Sequence, residues 1–204
     1  MKVLPIKPEE SYPWILQKHY AKRVPQISYA FGLYEENQLM GVVTYGMPAS
    51  PFLCIGVCGP EHRDVVIELN RLCLQDNKKN EASFLVANSL KQLPKPKVVV
   101  SYADTAMGHV GYVYQACNFL FTGTTKERTD MASTSGGHSR HNSGDRTQRV
   151  DRSAKHRYIF IVGSKQQKKK FTELLRYDVL PYPKGDNKNY DAGGQVMTQP
   201  VLFL

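Results

Sequence analysis

The stretch from Lys97 to Thr124 constrains the fold of this chain most, because a β-branched run breaks abruptly into polar residues and then resumes with helical periodicity. Val98 to Val100 predict a buried strand, and Ser101 and Asp104 fall where that strand is expected to end. Apolar residues then recur at helical spacing from 112 to 117, before an extended pattern returns. Ligands of open α/β sheets bind beyond the carboxyl ends of strands, so we expect the functional site at this turn.

The rest of the chain predicts a sheet with helices packed on it. Residues 29–34 and 39–45 are two extended segments joined by a polar connector, which indicates a hairpin. Residues 65–74 predict a long strand and 80–90 a helix, whereas 52–57 are expected to form a further strand or a loop. Strands and helices that alternate after a hairpin indicate a mixed α/β chain of the α+β type, with helices packed on a mixed sheet.

The length of 204 residues favours one domain, 1–204, over two. Two segments within it lack apolar periodicity. Residues at about 125–155 are rich in Ser, Gly, Arg and His and predict a long flexible loop, either a substrate-engaging lid or a tolerated insertion. Residues at about 177–204 are rich in turn formers and predict an irregular tail that wraps the body.

The charge balance favours a polyanionic partner. The formal net charge is +9 and the pI is about 9.3, and basic surfaces gain affinity for phosphate backbones through counterion release. Nucleic acid therefore outranks acidic protein or membrane, although a basic face that only aids solubility stays open.

The cysteines and the N-terminus favour a cytoplasmic location. Four cysteines, Cys54, Cys58, Cys73 and Cys117, lie in apolar runs without CxxC spacing and predict buried thiols of a reduced protein. No apolar run approaches the length of a membrane span, and the first residues lack a signal-peptide core. We expect a soluble protein without a membrane partner.

Polar residues are expected to converge where the 65–74 and 97–104 strands end. No zinc, Walker, Rossmann or GxSxG signature is present. A splayed central strand pair there would form a cleft, with helix N-terminal amides suited to an anionic cofactor. Asp104 is the expected general base, Tyr114 or Tyr20 the general acid, and Arg71 a phosphate or carboxylate ligand. The other polar candidates are His19, Glu68, Ser83 and His109.

Four segments carry a resemblance to a known family. They are His19-Tyr20, FGLYEENQLMGVVTYGMP at 31–48, IELNRLCLQDNKKNEASFL at 67–85 and SYADTAMGHVGYVYQACNFLFTG at 101–123. Together they resemble the Mom proteins of bacteriophages and, more broadly, the acyl-CoA-dependent acetyltransferases of GNAT fold. The GNAT resemblance implies a central, twisted and mostly antiparallel sheet with a splayed central strand pair. The resemblance is specific because four motifs occur together and in order: ELxRL, NxxS, SYAD and GHxGxxYQAxNF.

The resemblance implies transfer of a carbamoylmethyl-type group to the N6 amine of adenine in double-stranded DNA, which protects the DNA from host restriction. It implies site residues at His19, Tyr20, Arg71, Ser83, Asp104 and Tyr114. It also links the family to iron, for which His19, Tyr20 and Asp104 are candidate ligands by residue type, although their spacing shows no metal motif.

One departure from the acetyltransferase pattern concerns the donor. The segment that corresponds to the glycine-rich pyrophosphate loop, 75–83, reads QDNKKNEAS and lacks glycine. Lys78, Lys79, Asn80 and Ser83 are the expected compensating contacts. The donor is therefore acetyl-CoA or another small-group donor.

DNA binding is expected from the basic C-terminal third. Adenine N6 is conjugated with its ring and lies within the duplex, so flipping of the base into a pocket is the expected route. A tyrosine, Tyr20, Tyr102 or Tyr114, would stack the extruded base. The residues expected to grip DNA are Arg140, Arg149, Arg152, Lys155, Arg157, Lys168 and Lys169.

Two alternatives stay open at this point. An ordinary N-acetyltransferase on the same fold would turn over acetyl-CoA without DNA, since fold does not fix the substrate. A non-catalytic DNA-binding protein would retain DNA and modify no base. Whether the protein is a monomer or a homodimer is also open.

Overall fold

The computed structural model describes residues 1–131 and 149–185, and its main feature is a seven-stranded sheet. The strand order is β1-β2-β3-β4-β5-β9-β6, and β7 pairs with β8 in a separate ribbon. The strands are β1 (Lys2–Pro5), β2 (Tyr29–Glu35), β3 (Gln38–Gly46), β4 (Val66–Leu74), β5 (Lys97–Asp104), β6 (Leu120–Thr124), β7 (Arg128–Met131), β8 (Arg149–Arg152) and β9 (Lys155–Val162). The α-helices are α1 (Tyr12–Lys18), α2 (Pro51–Cys58), α3 (Glu81–Gln92), α4 (Tyr112–Ala116) and α5 (Lys165–Glu173).

Helices cover both faces of the sheet because its central strands are apolar on both sides. Along β5, Val98 and Val100 pack with α2 and α5, whereas Val99 and Ala103 pack with α3 and α4. The four cysteines are buried and free, as the sequence predicted. Within the described residues, no helix is both long and apolar enough to cross a membrane.

The parallel pair at the centre of the sheet separates soon after it forms. Strands β4 and β5 pair only from Val66↔Val98 to Glu68↔Val100, whereas the other adjacent pairs of this sheet are antiparallel. Beyond that point β4 stays with β3 and β5 stays with β9. These pairings confirm the predicted fold, a mixed and mostly antiparallel sheet flanked by helices. They also confirm the predicted splayed pair of central strands.

The bulge on β4 bends this strand where the cleft opens. Arg71 pairs with Thr44 and Leu69 with Tyr45, which leaves Asn70 as the extra residue. The Thr44 hydroxyl donates to Asn70 Oδ1 at 2.6 Å, and the Asn70 amide donates to the Gln26 carbonyl at 3.0 Å. The bulge therefore ties β4 to the loop that precedes β2.

Three sequence predictions need correction. Residues 52–57 lie in helix α2 and not in a strand or loop, because a short apolar run fits a buried helix as well as a strand and Pro51 occupies the first helical turn. Strand β5 runs through Asp104, so the polar cluster lies within the strand. The predicted 125–155 loop contains the β7–β8 ribbon, and its residues 132–148 lie outside the described part.

The first part of the predicted tail packs on the body. Leu180 bridges Phe121, and the Tyr182 hydroxyl donates to the Phe119 carbonyl at 2.8 Å. The remainder of the tail, 186–204, lies outside the described residues.

Candidate active site

A cavity of about 730 Å³ opens where β4 and β5 separate. Strand β4 contributes Glu68 and Arg71, and β5 contributes Tyr102 and Asp104. Further walls come from the segment after α1, from α4 and from the β7–β8 ribbon. Among the predicted site residues the lining includes His19, Tyr20, Arg71, Asp104, Tyr114, Arg152 and Lys155.

His19 and Tyr20 follow the end of α1, and their rings stack at 4.4 Å between centroids. His19 Nδ1 accepts the Ala21 backbone N–H at 3.0 Å, which leaves Nε2–H as a donor in the neutral ring. Burial, together with the positive charge of Arg71, lowers the pKa of His19 to about 3. His19 is therefore a neutral hydrogen-bond donor and not a proton source at neutral pH.

Tyr20 is 37% exposed at the edge of the cavity. Partial burial, aided by the negative charge of Asp104, raises the pKa of its hydroxyl. The hydroxyl therefore stays protonated at neutral pH and can act as a hydrogen-bond donor.

Arg71 fixes the segment that carries these two rings. Its Nε and Nη2 donate to the Arg23 carbonyl at 3.2 and 3.0 Å, and its Nη1 donates to the Asn70 carbonyl at 2.6 Å. Each nitrogen of the guanidinium thus donates to a backbone carbonyl, although the side chain was predicted to bind a phosphate or carboxylate. These contacts position the chain after α1 against β4.

Asp104 is surrounded by donors. Its carboxyl forms an ion pair with Lys155 and accepts hydrogen bonds from the Ser153 hydroxyl and, at 3.1 Å, from the Ala106 backbone N–H. Burial raises the pKa of Asp104, but the contacts with Lys155 and Ser153 outweigh it and hold the pKa below its usual range. An ionised, fully partnered carboxylate is a weak base, which disfavours the general-base role predicted for Asp104.

Glu68 has the opposite surroundings. Its side chain is half-buried in the cavity, and within the described residues no hydrogen bond or ion pair to its carboxyl is found. Burial raises the pKa of Glu68 to about 7 against the opposing charges of Arg71, Lys155 and Arg23. From the sequence, Glu68 was named among the polar candidates near the cleft but received no role.

Tyr114 lies on α4, and its ring centroid is 5.3 Å from those of Phe119 and Tyr158. It lines the cavity, as predicted. Ser83 does not: its hydroxyl donates to the Asn80 carbonyl at 3.1 Å within the first turn of α3. The catalytic roles of both residues stay predictions.

The side chains of the 75–83 segment that were predicted to bind the donor do not line the cavity. Lys78, Lys79 and Asn80 are exposed, and Lys78 pairs with Glu35 at 3.3 Å. From this segment the cavity is lined by Asn77 and Ala82.

The residues predicted to grip DNA fall in different places. Arg152 and Lys155 line the cavity, and Arg149 is exposed on β8. Arg157 is held by Thr122 and stacks on Tyr177, with 3.4 Å from Cζ to the ring centroid. Arg140 lies outside the described residues, and Lys168 and Lys169 lie on α5, which contributes nothing to the cavity lining.

Cations from several parts of the chain line the cavity. We call Lys18, Arg23, Lys126, Arg128 and Arg152 the rim cations, since all of them line it. Lys126 and Arg128 received no role from the sequence, although both lie in the predicted 125–155 loop.

The iron expectation gains no support from the described residues. In residues 1–131 and 149–185 no group of three or more His, Cys, Asp and Glu side chains is placed to hold a metal ion. Among the proposed ligands, Asp104 is already paired with Lys155.

Several solved acetyltransferases are similar to this chain in structure. The Bacillus subtilis acetyltransferase in complex with CoA is 14% identical, with 78% of this chain and 97% of that chain covered at a TM-score of 0.47. An N-acetyltransferase from Staphylococcus aureus Mu50 gives 14% identity, 79% and 98% coverage and a TM-score of 0.47.

Sequence comparison gives a more specific relationship. The Methylcarbamoylase mom of Escherichia phage Mu is 30% identical over 190 residues, which cover 83% of this chain and 78% of the relative. The sequence model described as the Mom protein family matches residues 1–184, and so spans every element that builds the cavity. This chain belongs to the Mom protein family.

Proposed function

We propose that this chain transfers a carbamoylmethyl-type group to the N6 amine of adenine in double-stranded DNA and so protects phage DNA from host restriction. Membership of the Mom family and the relative named as a methylcarbamoylase support the reaction type. The observation that carries the proposal is the cavity between the splayed strands, which has polar groups inside and cations around it.

The rim cations suit a duplex substrate. Lysine and arginine side chains around a cavity bind backbone phosphates and hold the target nucleotide over the opening. A volume of about 730 Å³ falls in the range of small-ligand sites and is large enough for an extruded base beside a small donor. Tyr20, 37% exposed at the edge, offers a ring on which the base can stack.

Inside the cavity, hydrogen-bond donors surround the space that the reactants would occupy. His19 presents Nε2–H, and Tyr20 presents its hydroxyl. Lys155, held by Asp104, adds a positive charge to the cavity wall. Such donors hold the ring nitrogens of adenine and the carbonyl of a transferred amide group in place.

The turn before α3 favours a donor without a pyrophosphate. The buried Glu81 carboxyl accepts the Lys78 backbone N–H at 2.7 Å at the N-terminal end of this helix. A carboxyl there repels a second anion and occupies an amide that would otherwise bind it. Of the two predicted donors, a small-group donor other than acetyl-CoA therefore fits this turn better.

The decisive experiment is mass spectrometry of nucleosides from plasmid DNA of cells that express the chain. We expect a deoxyadenosine adduct that carries the mass of a carbamoylmethyl group. Unmodified adenine would contradict the proposal. Turnover of acetyl-CoA without DNA would favour the acetyltransferase alternative, and retention of DNA with no altered base would favour the binding protein.

DNA binding is tested with two matched pairs of variants. In Arg128→Ala/Arg152→Ala we expect weaker binding and a salt slope reduced by about one unit for each phosphate that is no longer bound. Lys168→Ala/Lys169→Ala removes the same charge from α5, outside the cavity lining, and should keep the wild-type salt slope. The reverse result would place the DNA on α5.

A further inference from the structure

We infer that Glu68 is the group that accepts the proton from adenine N6 as the new bond to that nitrogen forms. This role rests on the proposed function and assigns a catalytic residue to the same cavity. None of the residues that the Mom resemblance implies is Glu68.

The position of Glu68 places a carboxyl at the root of the cleft. It is the last residue of β4 that pairs with β5, opposite Val100, so its side chain lies where the two strands part. The side chain lines the cavity and is half-buried. A base at this point can reach a group that enters between the strands, and little bulk water competes with it.

Among the described residues, the lack of a partner for the carboxyl distinguishes Glu68 further. Within the described residues no donor is bonded to Glu68, although buried carboxyls are nearly always partnered. A carboxyl that is desolvated without a partner is suited to bind a group that arrives with the substrate. The exocyclic amine of adenine is such a donor.

The other bases of the cavity are less suitable. Asp104 is held by Lys155 and Ser153, so its lone pairs are occupied and its proton affinity is low. His19 Nδ1 already accepts the Ala21 N–H. Burial lowers the pKa of His109, which makes that imidazole a weaker base.

The charges around Glu68 tune its proton affinity. Burial raises its pKa to about 7, while Arg71, Lys155 and Arg23 oppose that rise. A base with a pKa near the working pH is both available and strong enough to take a proton in the transition state. The titratable and charged groups that face it are Arg71 on its own strand, Tyr102 on β5, Lys155 on β9, Cys54 on α2, and Tyr20 and Arg23 after α1.

The step balances as a substitution at carbon. The N6 lone pair forms a bond to the methylene carbon of a donor that carries the carbamoylmethyl group on a leaving group. The bond from that carbon to the leaving group breaks, and the leaving group departs with the electron pair. The N6 proton passes to the Glu68 carboxylate, which ends as a neutral acid. Removal of the proton offsets the low nucleophilicity of the conjugated amine.

The test compares wild type, Glu68→Gln and Glu68→Asp. Purified protein is incubated with plasmid DNA and the low-molecular-mass fraction of a bacterial lysate as donor source, and adduct formation is followed against pH by nucleoside mass spectrometry. We expect the wild-type rate to rise with pH and level above about 7, and Glu68→Gln to lose about 10²-fold or more together with that rise. Glu68→Asp should keep part of the rate, and Glu173→Gln on α5 should match wild type.

Each result decides the matter. Wild-type rate and an unchanged pH profile in Glu68→Gln would overturn the role of Glu68 while leaving the proposed function intact. Absence of any adduct with wild-type protein would overturn the proposed function, and this inference with it. Carbon-13 NMR titration of labelled glutamate in wild type reports on the residue without a donor, and a Glu68 signal that titrates below about pH 5 would also overturn the inference.

Discussion

Strands β4 and β5 separate at the cleft, and we call them its two arms. Each arm presents a carboxyl to the same cavity, and the two carboxyls have opposite surroundings. On the β5 arm, Asp104 is ionised and bonded to Lys155, Ser153 and the backbone. On the β4 arm, Glu68 has no partner within the described residues and is close to half-protonated at neutral pH. Burial alone therefore does not set the behaviour of a carboxyl, because the donors that the fold supplies decide the direction of its pKa shift.

The two carboxyls are therefore suited to different tasks. The β5 carboxylate of Asp104 binds Lys155 at the start of β9, so its contacts tie β5 to β9. The β4 carboxyl can exchange a proton with a ligand because nothing in the described fold holds it. Carboxyls with pKa values pushed apart by their surroundings are a recognised sign of separate acid–base roles.

The largest loss of stability is expected from Asp104→Asn, which removes the ion pair between Asp104 and Lys155. The ammonium of Lys155, only 32% exposed, would lose its counter-charge, and breaking a partly buried pair costs about 3 kcal/mol of the free energy of unfolding. Urea denaturation at neutral pH measures this loss. Adding Lys155→Met should restore part of the stability, and a single variant as stable as wild type would contradict the partnered description of Asp104.

A change of about the same size but opposite sign in the free energy of unfolding is expected from Glu68→Gln. The raised pKa of Glu68 contributes stability that is complete below about pH 4.5 and is lost as the pH rises through about 7. Glutamine has no such loss, so the variant should be more stable than wild type above neutral pH, by up to about 3 kcal/mol, with the gap closing toward acid. Thermal unfolding across this pH window is the measurement. A gap that does not change with pH would show that Glu68 titrates normally.

For Asp104 the sign is reversed. Its lowered pKa contributes stability above its unfolded value of 3.8, and that stability is lost as the pH falls through the folded value. Stability that is lost in acid is thus assigned to Asp104, and stability that is lost as the pH rises through neutral is assigned to Glu68.

The smallest effect is expected from Ser153→Ala, which sharpens the comparison by removing one donor from Asp104. Loss of a single hydrogen bond to a charged group should cost about 1–2 kcal/mol and raise the pKa of Asp104 toward its ordinary range. Carbon-13 NMR titration of labelled aspartate checks the shift. Ser164→Ala, which removes the cap of α5 outside the cavity, is the control and should leave the Asp104 titration unchanged.

Local patterns in the sequence were sufficient for much of this protein. The β2–β3 hairpin, the β4 and β5 strands and the α3 helix follow from alternation, helical spacing and proline breaks, which are properties of neighbouring residues. The same patterns led to the cleft, and the motifs near Glu68, Arg71 and Asp104 led to the Mom family. These are short-range signals, and short-range signals are what a single sequence carries.

Tertiary structure decided which side chain has a partner. Asp104 and Lys155 are 51 positions apart, and Arg71 and the Arg23 carbonyl are 48 apart, so no local pattern announces either contact. Strand pairing brings β9 beside β5 and therefore occupies Asp104, while the splay of β4 leaves Glu68 in the cavity without a donor from the described residues. The sequence by itself determined the elements and the polar residues at the cleft. Only the tertiary fold determined their proton affinities, because these depend on burial and on charges from distant parts of the chain.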